Sequence, residues 1–395
     1  MTPVPRLHLN KGVRHRILDG HPWVFSSEIG STEGTPEDGG TVELMSPQGQ
    51  FLGSAIYNSR SQILARRYSR DRVALDEALI GRRLDQALAF RRALGLAGRT
   101  ALRLVWSEAD RLPGLIVDRY GDTLVLQTLT LAMARREETI ARLLAEKTGC
   151  RVILARNDPP VRQLEGLPLE RRMLLGELPG PVAVELAGIT YQLDLWSGQK
   201  TGFYLDQAEN CAAVAASAPG RRVLDCFTNQ GAFALSAMRA GAASCRAIDQ
   251  SAEALRLAAA TAQAHGLAIQ WTQDNVFDHL RACEQRREKF DLVILDPPSF
   301  TKGKANRASA LRGYHELHVR ALRLLTAGGI MATFSCSHHV TAADWAGLLE
   351  RAARDSGASL RLRQTLRQSS DHPILVNVPE TEYLHGYVVE KVDET

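Results

Sequence analysis

From Leu7 to Ser69 the chain alternates apolar and polar residues in short runs: LHLNKG, HPWVFSSEI, TVELMSPQGQFLGSAIYN and QILARRYS, separated by clusters of Gly, Pro, Asn and Ser. A period of two between turn formers predicts short strands, and over 1–72 they make a small β-barrel or sandwich. Turn chemistry lies in EGTPEDGG before Thr41 and in SPQG at Ser46 to Gly49, the latter a hairpin loop. From Leu75 the period lengthens. DEALIGRRLDQALAFRRALGL places apolar residues three to four apart opposite Arg, which predicts an amphipathic helix. Strands follow in ALRLVWSEADRLPGLIVDRYGDTLVLQTLT, with turns at LPG and RYGD, then a helix in MARREETIARLLAEK and a strand in CRVILARN. Residues 73–181 therefore read as a small α+β middle domain without a catalytic cluster. Over 182–395 strand and helix alternate. RRVLDCF, SCRAIDQ, AIQWTQDN, FDLVILDPP and GGIMATFSCS are short apolar runs, each followed by enough chain for a helix, which predicts a doubly wound, mainly parallel α/β sheet.

A chain of 395 residues is long enough for two or three packed units. Its six Cys residues form no CxxC pair and have no His-rich neighbours at zinc spacing, so neither a metal site nor a disulfide framework is expected. The start of the chain has no apolar leader core, and no apolar run reaches the length of a membrane span. The expectation is a soluble cytoplasmic protein. The net charge of +4 says little about partners, but the Arg residues cluster early, at Arg14, Arg16, Arg60, Arg66, Arg67, Arg70, Arg72, Arg82, Arg83, Arg91 and Arg92. Such a cluster is either a phosphate-docking face or a biased choice of Arg over Lys on a solvated surface, and composition leaves both open.

Doubly wound sheets bind ligands outside the carboxyl ends of their strands, so the polar residues there carry the argument. The strand RRVLD runs into the loop CFTNQGAF and at once into a helix, a shape that offers free backbone N–H groups to a polar ligand. It is not the GxGxxG turn of dinucleotide sites, because Asp225 and Asn229 stand where glycines would. S-adenosylmethionine (SAM) suits it better: an acid here can pair with the cofactor's ammonium group. Asp249, with Gln250 beside it, closes the next strand, where a carboxylate meets ribose hydroxyls, and Asp274-Asn275 closes the third, placed for the adenine edge. Any one of these side chains could instead be a helix N-cap. Three at successive strand ends favour the cofactor.

KGVRHRILDGHPWVFSSEI resembles the start of the PUA domain, an RNA-binding barrel attached to RNA-modifying enzymes. VLDCFTNQGAFAL, AIDQS, QDNVFD, LDPPSF and FSCS, in that order, look like motifs I, II, III, IV and VI of Rossmann-like class I methyltransferases. With WSGQKTGFYLDQAEN upstream they are similar to the ribosomal large-subunit methyltransferase I family, which joins a PUA domain, a middle domain and a Rossmann-like domain and makes 5-methylcytosine in large-subunit rRNA. The resemblance implies a cofactor site of Lys200, Phe203, Tyr204, Asp206, Asp225, Phe227, Asn229, Gly231, Asp249, Gln250, Asp274, Asn275 and Asp296. Lys200 to Asp206 would form a lid over the cofactor, with Phe203 and Tyr204 its apolar surface.

Cytosine C5 is a poor nucleophile, and such enzymes activate it by adding a Cys thiolate at C6. Cys336, in FSCS at a strand end, is the candidate nucleophile. Cys226 lies inside the cofactor loop, and Cys150, Cys211, Cys245 and Cys283 read as small core residues. In the other large class of RNA cytosine methyltransferases motif IV carries a Cys directly after Asp-x-Pro, where this chain has Ser299. Asp296 would hold the base edge and could protonate N3. TKGKANRASALRGYHELH reads as a basic loop, its Lys302 and Lys304 gripping RNA phosphates, or as a solvated lead into a helix. His338 and His339 lie close enough in sequence to tune Cys336. The expected RNA contacts are Arg14, Arg66, Arg67, Lys302 and Lys304, the expected partner is large-subunit rRNA, and a homodimer stays open. Rival readings are an rRNA guanine methyltransferase acting at N7 or N2, which needs no Cys, and a non-catalytic assembly factor.

Overall fold

A computed structural model of the chain describes residues 3–12, 15–178, 180–300, 306–337 and 340–392. It divides into two compact units. The first comprises Met1–Leu186, Tyr191–Leu205 and Ser370–Thr381, and the second Ala187–Thr190, Asp206–Ser369 and Glu382–Thr395.

The first unit begins with six strands, β1 (Arg6–Leu9), β2 (Trp23–Val24), β3 (Ile29–Glu33), β4 (Thr41–Met45), β5 (Phe51–Tyr57) and β6 (Ala65–Ser69), in the order β2-β6-β5-β4-β1-β3. Leu7, Leu9, Val24, Val42, Leu44, Ala55 and Ala65 form its core, as the alternation requires. The hairpin of β4 and β5 closes through the expected SPQG turn, where the Gly49 N–H donates to the Ser46 carbonyl at 2.9 Å. HPWVFSSEI is not one strand. The Glu28 carboxylate accepts from the Phe25 N–H at 2.7 Å and pairs with His15 at 3.1 Å, a local turn that competes with the ladder until Ile29.

Helix α1 (Glu77–Ala93) starts at Asp76, whose carboxylate accepts from the Leu79 N–H at 2.8 Å, a cap worth about 1 kcal/mol. It packs Leu79, Ile80, Leu84 and Ala87 into the core of a second sheet. That sheet holds β7 (Ala101–Trp106), β8 (Leu115–Tyr120), β9 (Thr123–Thr128), β10 (Val152–Asn157) and β11 (Glu170–Leu175), in the order β11-β10-β9-β8-β7. The expected helix over MARREETIARLLAEK is two, α2 (Leu131–Ala134) and α3 (Glu137–Thr148). Between them Arg136 leaves helical geometry and donates to the carbonyls of Leu75, Gly39 and Ala132, while Glu137 and Glu138 supply the acids that a helix N-terminus favours. β12 (Val182–Leu186) and β13 (Ile189–Leu193) make a hairpin over Ala187 and Gly188, both at positive φ (51° and 76°).

In the second unit α4 (Ala208–Ala215) leads into β14 (Arg222–Cys226), α5 (Ala232–Arg239), β15 (Ser244–Asp249), α6 (Ala252–Ala264), β16 (Gln270–Gln273), α7 (Val276–Gln285), β17 (Phe290–Leu295), α8 (Arg307–Leu324), β18 (Leu325–Ser335), α9 (Ala342–Ser356), β19 (Ser359–Arg367) and β20 (His385–Val392). The sheet order is β16-β15-β14-β17-β18-β20-β19, with β14 to β18 parallel and β20 antiparallel to both its neighbours. From β14 the chain winds outward through β15 and β16, then returns to the other side of β14 as β17. The order reverses at the β14/β17 boundary, and the crevice beyond the carboxyl ends of those two strands is where such a sheet takes its ligand. No helix among the described residues is long and apolar enough to cross a membrane.

Candidate active site

Asp225 lies within β14, fully buried, one residue before its carboxyl end. One carboxylate oxygen, Oδ2, accepts from Thr228 Oγ1 at 2.5 Å and from the Ala234 N–H at 3.1 Å. The other, Oδ1, has no hydrogen-bond partner among the described residues. Burial pushes this carboxyl up to about 7; the Thr228 hydrogen bond opposes the rise, and the nearby charges of Asp296 and Asp249 add to it. A buried acceptor without a donor is costly, and a ligand bringing an ammonium group would remove the cost.

The loop after β14 is bent to expose its backbone. Phe227, Asn229 and Gly231 all take left-handed φ, at 63°, 50° and 78°. At Gly231 a Cβ would meet the Trp271 ring at 2.7 Å, so the residue is fixed by space as well as by φ. Asp249, the last residue of β15, secures the loop: its Oδ2 accepts from the Asn229 N–H at 2.8 Å and its Oδ1 from the Ser251 N–H at 2.9 Å. Gln250 follows it, exposed. At the end of β16 the Asp274 N–H donates to the Asp249 carbonyl at 3.1 Å, and the Asp274 carboxylate faces His279 at 3.1 Å. The Asn275 side-chain oxygen accepts from the Phe277 N–H at 2.9 Å, so Asn275 does serve as the N-cap of α7.

Asp206 is buried, its Oδ2 accepting from Tyr383 Oη at 2.8 Å and its carbonyl from the Ser369 N–H at 2.8 Å. Asp206, Asp225 and Asp296 converge around the buried Cys211, whose thiol is raised well above its usual range by burial first and by those three carboxylates next. Cys211 stays a neutral core thiol. The other residues expected to form a lid sit in the first unit. Phe203 is buried against Tyr191, ring centres 4.8 Å apart, and the Lys200 ammonium lies 4.3 Å over the Tyr204 ring. Thr201 between them donates to Asp118 Oδ2 at 2.6 Å, and the Phe203 N–H donates to Tyr120 Oη at 3.1 Å.

Asp296 follows β17 directly, and Cys336 follows β18 directly; the two strands are parallel neighbours, with Leu295 paired to Thr333. Of the six thiols Cys336 alone is not buried. Cys226 is fully buried and its thiol is held well above the usual range by burial and by Asp225, which disfavours a reactive thiolate there. Tyr314 of α8, a residue the sequence did not single out, organises this end of the site. Its hydroxyl donates to the Pro298 carbonyl at 3.1 Å and accepts from the Phe300 N–H at 3.0 Å, and its ring stacks on Phe300 at 4.4 Å. Burial pushes the phenol up to about 12, with the charges of Cys336 and Asp296 adding to the rise. Tyr314 is thus close to both catalytic candidates. His318, one helical turn on, is buried and lowered to about 4 by burial, so it stays neutral.

The expected RNA contacts fare differently. Arg66 pairs with Glu108 at 3.0 Å and Glu165 at 3.7 Å beneath Trp23, and Arg67 donates to the carbonyls of Leu52 and Gly20 at 3.2 and 3.0 Å. Burial lowers Arg67 to about 10. Arg83 and Arg91 are buried, Arg91 against Asp110 at 2.6 Å. These four guanidiniums are engaged within the first unit, while Arg60, Arg70, Arg72, Arg82 and Arg92 of the same cluster are exposed. Arg14, Lys302, Lys304, His338 and His339 lie outside the described residues.

A doubly wound sheet with acids at its switch point, a buried acceptor suited to an ammonium group and no pyrophosphate cradle defines the class: a SAM-dependent methyltransferase. The comparisons agree. A model of the PUA-like domain matches residues 7–70, and a model of S-adenosylmethionine-dependent methyltransferases matches residues 127–380. The ribosomal RNA large subunit methyltransferase I of Klebsiella pneumoniae is 36% identical over 97% of this chain and 97% of its own. That of Yersinia pseudotuberculosis is 38% identical over 97% of this chain and 98% of its own. Among solved structures, a Streptococcus mutans protein assigned as a SAM-dependent methyltransferase superposes with a TM-score of 0.82 at 20% identity, covering 98% of this chain and 99% of that one. A further methyltransferase-assigned structure, solved with S-adenosylhomocysteine (SAH), gives 0.83 at 21% identity over 98% and 99%. The chain belongs to the ribosomal RNA large subunit methyltransferase I family.

Proposed function

We propose that the protein acts in the cytoplasm on large-subunit rRNA and methylates C5 of a cytosine, with Cys336 as the nucleophile. The observation that carries the chemistry is Cys336 itself, the one thiol of six that is not buried, placed one residue beyond β18 and beside the strand that ends at Asp296. Its thiolate forms a bond to C6, which makes C5 nucleophilic. SAM, when bound, supplies the electrophilic methyl group and departs as SAH. Loss of the C5 proton then breaks the bond to Cys336 and restores the aromatic ring. Asp296 faces the amino edge of the base, Asp225 receives the cofactor's ammonium group, and Asp249 meets the ribose. Transfer of labelled methyl groups from SAM into rRNA from cells lacking the protein, followed by nucleoside mass spectrometry, tests this reading. 5-Methylcytidine supports it, and a methylguanosine favours the guanine enzyme.

The PUA-like sheet, together with Lys302 and Lys304, is proposed to dock the RNA. Lys302→Ala with Lys304→Ala should weaken RNA binding and flatten the logarithmic salt dependence by about 1.5, two phosphate contacts' worth on single-stranded RNA. Arg66→Ala should act otherwise. It strands the Glu108 carboxylate, which also accepts from Trp23 Nε1 at 2.8 Å, and should cost about 3 kcal/mol in thermal unfolding with the salt slope unchanged. A parallel loss of slope in Arg66→Ala would return that residue to the RNA interface.

A further inference from the structure

Asp296 is not placed by its own strand alone. Gln207, in the turn before α4, donates from Nε2 to Asp296 Oδ2 at 3.1 Å. Its Oε1 accepts from Asn210 Nδ2 at 2.6 Å, and the same Asn210 amide donates to the Arg367 carbonyl of β19 at 2.9 Å. Gln207 and Asn210 are both buried. The direction of this chain of hydrogen bonds is set from its far end. The Arg367 carbonyl can only accept, so the group of Asn210 that meets it is the NH₂. That leaves Gln207 to turn its oxygen toward Asn210 and its own NH₂ toward Asp296. Flipping either amide would set two acceptors, or two donors, face to face in a buried place, at about 1–3 kcal/mol each.

We propose that Gln207 and Asn210 are positioning residues that fix Asp296 as a hydrogen-bond acceptor, and that this acceptor selects a target base presenting an exocyclic amino group, cytosine over uracil. The proposal rests on the cytosine reading above. Uracil presents a carbonyl where cytosine presents an amino group, so a carboxylate locked as acceptor would face another acceptor. Sites built around one hydrogen-bonding group reject the analogue lacking it by large factors. Replacing Gln207 by Glu would remove a donor that favours the ionised carboxylate and set a second carboxyl beside it, so that Asp296 takes up a proton more readily and, with that proton on Oδ1, can also donate.

The experiment uses the full-length protein and an rRNA transcript carrying either cytidine or uridine at the mapped target. Wild type is read first: if it makes no 5-methylcytidine, the cytosine reading fails and the relay is moot. If it does, Q207E is expected to keep its SAM affinity within about threefold, lose kcat on the cytidine transcript by roughly 10- to 100-fold, and narrow the preference for cytidine over uridine at least about tenfold. Should Q207E fail to bind SAM, Asn210→Ala replaces it; freeing the Gln207 amide to rotate should narrow the preference by roughly three- to tenfold. A merely structural role would lower activity on both transcripts alike. Unchanged discrimination in a variant that binds SAM normally would overturn the proposal.

Discussion

Cys336→Ala is expected to abolish methyl transfer to rRNA while leaving the dissociation constant for SAM within a factor of about three. The thiol acts only once the base is in place, so its removal takes away transition-state stabilisation and little ground-state binding. Loss of a covalent route of this kind costs at least about four orders of magnitude in turnover. Cys226→Ala is the matched control. That side chain is fully buried in the strand that carries Asp225, and its thiol is held protonated by burial. The control should retain activity in proportion to its folded fraction, with a small stability cost for the lost core volume. Steady-state transfer of labelled methyl groups, paired with calorimetric titration of SAM, separates the two outcomes.

The second large effect belongs to Asp225. Its carboxyl is raised from the usual 3.8 to about 7 in the folded protein, chiefly by burial. Between these values the unfolded chain has ionised while the folded one still holds its proton. The contribution of this carboxyl to the stability of the free protein is therefore full below about 4, is lost as pH rises to about 7 and is not regained above. Cofactor binding has the opposite dependence, because an ammonium group is met best by the ionised acid. SAM affinity should climb with pH up to about 7 and level off, with proton uptake by buffer below that point. Asp225→Asn should remove both dependences. It should weaken SAM by about 100-fold, the ~2.7 kcal/mol of a charge-assisted contact. At pH 8 the free variant should nonetheless melt about 2–4 °C above wild type. A variant that binds SAM normally would show that the ammonium group is held elsewhere.

The strands and loops that build this site were legible because their signals are local. RRVLD, SCRAID and FDLVILD are apolar runs ended by acids, and the structure sets those acids at or next to the carboxyl ends of β14, β15 and β17. What escaped lies where the signal is tertiary or disguised. The turn of the β12/β13 hairpin uses Ala187 at a positive φ that Asn or Asp usually takes, so nothing in LAGI announced it. The edge strand β19, SLRLRQTLR, also went unmarked, because its alternation is carried by Arg as much as by apolar residues. The Arg cluster stayed ambiguous for a physical reason. Charge counts cannot tell a guanidinium aimed at solvent from one held against a carboxylate or a carbonyl: Arg66, Arg67, Arg83 and Arg91 are of the second kind, and Arg60, Arg70, Arg72, Arg82 and Arg92 are exposed. Gln207, Asn210 and Tyr314 have no motif of their own. Their importance appears only when the fold brings them to Asp296 and to the Pro298–Phe300 turn.

The mechanism is decided by which atom attacks the base. A large-subunit rRNA transcript with 5-fluorocytidine at the target should trap the enzyme after methyl transfer, since fluorine at C5 cannot leave as a proton and the sulfur–C6 bond then persists. Tryptic digestion separates the candidates cleanly, because Cys336 lies alone among the cysteines in 324–351 and Cys226 alone in 223–239. Mass spectrometry should find the methylated nucleotide on the 324–351 peptide, in the presence of SAM and not with Cys336→Ala. Adduct on the 223–239 peptide, or full methylation with no adduct on either, would contradict the mechanism.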